Sequence, residues 1–140
     1  MRTLNLAFAV LLLASPSLLN AESLTLDVHT FAGKAQADVA KVLGAPSRKE
    51  KSKYGPKLSY RDGKVEVVFI DGKADWITVS GMSAVPFDSN SIEALGLKPA
   101  VPNFKNEFVI RWEPHTTYKS VLVFPAGKFV DYAYIKVFTD

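Results

Sequence analysis

Two histidines, His29 and His115, and fourteen carboxylates are the side chains of this 140-residue sequence suited to proton transfer or metal binding, and no cysteine accompanies them. Catalysis by such groups needs a nucleophile beside a base, a carboxylate pair, or ligands at metal-binding spacing. The acids instead collect at turns (Asp62, Asp71, Asp75). His29 stands alone after an apolar segment, and His115 lies in the stretch 113–117 with no second ligand at a recognisable spacing. No glycine loop of phosphate-binding pattern is present. Asp75 recurs as Asp131, which local hydrogen bonding to backbone amides explains. The expectation is therefore a protein with no catalytic residues, no metal and no cofactor, a hydrolase with an unrecognised site being the last class to consider.

Recognition chemistry is better represented. Trp76, Thr78, Tyr132, Tyr134 and Lys136 alternate along two strand-like segments, and Arg111 joins them by the same alternation. Aromatic rings among polar groups on a sheet face are common in binding surfaces, because a ring covers much area with few rotamers to freeze. A second candidate is the basic segment 48–57, with Arg48, Lys49, Lys51 and Lys53, read as a loop because Gly55-Pro56 interrupts it. It suits an acidic partner surface, anionic lipid headgroups or a polyanionic wall polymer, or it is a solvated hairpin loop. The connector 80–87 either leaves the rings open or folds over them as a small second core.

The elements that must position these groups are mostly strands. Segments 57–60, 65–70 and 76–79 are β-branched and aromatic, with Asp62-Gly63 and Asp71-Gly72 between them as hairpin turns. A similar order returns at 108–112, 121–124 and 131–137. Phe69 and Gly72-Lys73 align with Phe124 and Gly127-Lys128, and after one inserted residue Asp75-Trp76 aligns with Asp131-Tyr132. Segment 23–28 alternates as a short strand. Segment 35–43 has good helix formers with Ala35, Val39, Val42 and Leu43 on one face, ended by Gly44 and Pro46. Asn90 and Glu93 resemble a capping box for a shorter helix at 91–95. The fold class this predicts is α+β, an antiparallel sheet from two helix-plus-three-strand repeats (about 31–79 and 88–138) with short helices on one face.

Arg2, the apolar run 4–14, Pro16 and the small-residue site at Leu19-Asn20-Ala21 have the layout of a secretory signal peptide, too short to span a membrane. Cleavage after Ala21 leaves a single domain, 22–140. Without cysteine there is no disulfide framework and no lipid attachment at the processing site. The formal charge of +3 falls to about +2 without Arg2, too near neutrality to argue for nucleic acid. The expected location is periplasmic or secreted, with no stable membrane anchor.

With Gly33, Asp38-Val39, Leu43-Gly44, Pro46, Tyr60, Val67-Val68-Phe69 and Gly72-Lys73 laid out, the first half resembles the SmpA/OmlA outer-membrane-assembly domain, and the tandem arrangement is similar to that of beta-lactamase-inhibitory protein. The resemblance implies a module that binds a protein partner in the bacterial cell envelope. The alternatives are a periplasmic small-ligand or wall-polymer binder, or an inhibitor of an envelope hydrolase.

Overall fold

The computed structural model describes residues 26–137. The expected signal peptide and the first half of the expected strand at 23–28 lie outside them; of its described residues, Leu26 and Asp27 belong to no strand and Val28 opens a 3₁₀ turn (Val28–Thr30).

One helix, α1 (Gln36–Leu43), precedes a meander of β1 (Arg48–Lys51), β2 (Pro56–Tyr60), β3 (Val65–Ile70) and β4 (Lys73–Ser80). A 3₁₀ turn (Ser91–Leu95) precedes β5 (Phe104–Lys105), β6 (Ile110–Trp112), β7 (Ser120–Ala126) and β8 (Phe129–Lys136). All eight strands form one antiparallel sheet in the order β1-β2-β3-β4-β8-β7-β6-β5. This corrects the expected class: the protein is largely β, with, among the described residues, four strands rather than three on each side of the β4–β8 seam and a helix on one side only. The fourth strand on the first side is the first part, 48–51, of the basic segment expected to be a loop, whose residues 52–55 form the β1–β2 hairpin tip. It pairs with β2 from Arg48↔Ser59 to Lys51↔Pro56, and charged edge strands of this kind are common because charge discourages unwanted pairing. The second helix is a single 3₁₀ turn. Asn90 makes no side-chain cap there, and the Asn90 N–H instead donates to Asp88 Oδ1 at 2.8 Å.

The two faces differ sharply. Leu58, Tyr60, Val65, Val67, Phe69, Ile77, Val79, Ile110, Trp112, Val121, Val123, Ala133 and Ile135 are buried in one cluster with Val39 and Leu43 of α1 and with Ile92 and Leu95. Val42, expected on the same helix face, is exposed. The Asp71-Gly72 turn is as expected, both residues having positive φ (50° and 76°), and it joins Ile70 directly to Lys73.

Each long hairpin contains a bulge. Register shifts between Val68 and Phe69 and between Phe124 and Pro125 leave Asp75 and Asp131 as the extra residues of β4 and β8. Asp75 is completely buried and pairs with the Lys136 ammonium, so its role is not the turn-edge amide bonding expected of it. The bulges also correct the internal alignment. Val68 opposes Trp76 as Phe124 opposes Tyr132, so Phe124 corresponds to Val68 and not to Phe69, and no residue is inserted.

Each histidine has one close polar partner. His115 is buried, its Nε2 2.8 Å from Lys98 O. His29 Nδ1 lies 2.7 Å from the Tyr118 hydroxyl, joining the N-terminal 3₁₀ turn to the β6–β7 connection. Burial, with a smaller contribution from Asp27, pushes the Tyr118 phenol up to about 12.

Two outcomes follow. Removing the ammonium in Lys136→Met strands a buried carboxylate, and denaturant unfolding should show a loss of about 3 kcal/mol. Because Tyr118 ionises near pH 10 when unfolded and near 12 when folded, its protonated form favours the fold below pH 10 and that stabilisation disappears as pH rises from 10 to 12. Melting temperatures over that window should fall less steeply in Tyr118→Phe.

Candidate functional site

The face of the sheet opposite the core is where the sequence-selected residues meet. Directly opposed residues of neighbouring strands share a face, so the register alone traces rows across the sheet. One row runs Phe104, Arg111, Leu122, Tyr134, Thr78, Glu66, Ser59 and Arg48, crossing all eight strands. The next contains Ser120, Lys136, Trp76, Val68, Lys57 and Glu50. A third contains Phe124, Tyr132 and Ser80.

The rings form a connected cluster. Tyr132 stacks on Phe124 with centroids 4.7 Å apart, and Tyr134 lies 5.1 Å from Tyr132 and 5.4 Å from Phe124. Trp76 meets Tyr134 edge-on at 6.1 Å, and Tyr54, from the β1–β2 hairpin tip, lies 6.2 Å from Trp76. Trp76 is 37% exposed and Tyr54 56%. The connector 80–87 does not cover them. Met82 and Val85 join the core cluster, and backbone bonds from Val130 N–H to Val85 O and from Phe87 N–H to Lys128 O hold the segment beside the β7–β8 turn.

Most charges on this face are paired. Lys57 bridges Glu66 at 3.1 Å, Arg111 bridges Glu113 at 3.4 Å, Arg48 pairs with Glu50, and Lys136 with Asp75. Arg111 also lies over the Phe104 ring at 5.1 Å. The Tyr132 phenol is held above its ordinary value, first by desolvation and then by Tyr134 and Asp131. A groove of about 320 Å³ opens between the hairpin tip and the sheet, lined by Lys53, Tyr54, Val68, Trp76, Thr78 and Tyr134 among others.

The structure thus brings Trp76, Thr78, Arg111, Tyr132, Tyr134, Lys136 and Arg48 onto one face, with Lys53 beside Tyr54, its ammonium 5.5 Å from that ring. Lys49 and Lys51 project to the other face of β1, opposite Leu58 and Pro56. Phe124, Val68 and Tyr54 complete the surface and were missed. Alternation within β7 would have found Phe124, but aligning it with the core residue Phe69 obscured it. Tyr54 sits in a turn, where no periodicity operates.

Gly55 seats the hairpin tip. Its φ is +153°, and a Cβ at this position would collide with the Phe69 carbonyl oxygen, so the tip carrying Tyr54 approaches β3 as closely as it does only with glycine there.

Among the described residues no group of three or more His, Asp or Glu is placed to hold a metal ion, and no helix is long and apolar enough to cross a membrane. Comparison with protein-family models, with curated proteins and with solved structures finds no match to this chain, so the resemblance to the SmpA/OmlA domain rests on the quoted residues alone.

Proposed function

We propose that this chain is an exported, non-enzymatic protein-binding module of a bacterial cell envelope, and that the aromatic face of its sheet is the contact surface. The observation that carries the reading is the cluster Tyr54, Trp76, Tyr134, Tyr132 and Phe124 on the face away from the core, with Trp76 and Tyr54 among the exposed large hydrophobics. Several features support a macromolecular partner. One row extends across all eight strands, and the paired charges form a near-neutral polar rim around the rings, the anatomy of a protein contact. Apart from the Tyr132–Phe124 stack, the rings pack edge-on and tilted against one another instead of offering a line of flat faces.

The groove between Tyr54 and Trp76 favours a second reading, a small-ligand or wall-polymer binder, since its volume is at the lower end for a small-molecule site.

The test is capture from an envelope extract on immobilised protein, repeated with Trp76→Ala and Tyr134→Ala. On this reading each variant loses about 1 kcal/mol or more of partner binding while its melting temperature changes little. Loss of fold stability by roughly 3 kcal/mol in both would mark the rings as core and overturn the reading.

A further inference from the structure

The open edge of the sheet at β1 has a chemistry of its own. Ser52 N–H donates to Gly55 O at 3.0 Å, which fixes the alternation of the β1–β2 ladder. Hydrogen-bonded pairs then fall at Glu50↔Lys57 and Arg48↔Ser59. The intervening pairs, Lys49↔Leu58 and Lys51↔Pro56, are the non-bonded ones, in keeping with proline's missing N–H. The backbone N–H and C=O groups of Lys49 and Lys51 therefore point away from β2, where β1 has no further neighbour among the described residues.

The side chains of the same two residues are exposed, and among the described residues neither forms an ion pair, whereas Arg48 is neutralised by Glu50 on the other face. A groove of about 520 Å³ lies along this edge, lined by Lys49, Glu50, Lys51, Ser52, Gly55 and Pro56. Among the described residues, outward backbone groups without a strand partner and positive charge without a counterion thus coincide at every second residue.

We propose that β1 receives an extended acidic segment of a protein partner as a ninth strand, with carboxylates at alternate positions opposite Lys49 and Lys51. The backbone pairing supplies strand addition, and the two ammonium groups select an acidic segment and repel a second copy of β1. This rests on the protein-binding reading and names the partner's chemistry at a part of the surface apart from the rings.

The experiment is a fluorescence-anisotropy titration of the full chain with a labelled extended peptide bearing glutamate at alternate positions, and with a scrambled peptide of the same composition. The alternating peptide should bind at least tenfold more tightly than the scrambled one, and Lys49→Glu with Lys51→Glu should abolish the difference. Lys49→Pro should weaken binding beyond Lys49→Ala, because proline removes the outward N–H as well as the charge. Equal binding of both peptides, or of a sulfated polysaccharide, with proline and alanine variants alike, would reduce the edge to a general anion patch and overturn the proposal. If Lys49→Glu with Lys51→Glu leaves envelope capture intact while Trp76→Ala loses it, the edge assignment fails and the protein-binding reading stands. If neither change alters capture and no peptide binds, both fail.

Discussion

Five opposed residue pairs, from Trp76↔Lys136 to Ser80↔Tyr132, join the last strand of one meander to the last strand of the other, and the sheet is continuous only because of them. Their midpoint is Thr78↔Tyr134. A one-residue slip in an antiparallel pair exchanges its two faces, so this register keeps Ile77 and Val79 in the core with Ile135 and Ala133 while holding Trp76, Tyr132 and Tyr134 on the opposite side. Burial of the aliphatic face fixes the register, and the register gathers the rings.

The bulges at Asp75 and Asp131 refine this arrangement. An extra residue in β4 and in β8 changes the alternation once along each strand, so that Phe69 and Ala74 face the core while Val68 and Trp76, a few residues away, face outward. Asp75 is tied to Lys136 across the seam, and Val137 N–H donates to Asp75 O at 2.8 Å. The ion pair therefore sits where both the seam and the bulge need holding, with Lys136 directly opposite Trp76.

Much of this was legible in the sequence. The β-branched runs and Asp-Gly turns located six of the strands, and alternation within β4 and β8 was enough to select Trp76, Thr78, Tyr132, Tyr134 and Lys136 as one face. What misled was of three kinds. Residues 48–51 have the composition of a loop, and only pairing with β2 makes them a strand. The residues at 91–95 have helix-like spacing but only enough length for a 3₁₀ turn, which shifts the class from α+β to largely β. The bulges insert a residue without any local signature, so aligning Phe with Phe hid the correspondence of Phe124 to the outward-facing Val68. Whether the connector 80–87 covered the rings depended on Met82 and Val85 finding the core, a tertiary outcome that local pattern does not encode.

The central claim, that the seam presents its rings as open surface, is tested most directly by tryptophan fluorescence, because the chain has two tryptophans, one on each face. Trp76 is 37% exposed and Trp112 1%. In Trp112→Phe the remaining emission should be red-shifted and readily quenched by acrylamide, and in Trp76→Phe it should be blue-shifted and shielded. Blue, shielded emission from Trp76 in a folded Trp112→Phe protein would contradict the account.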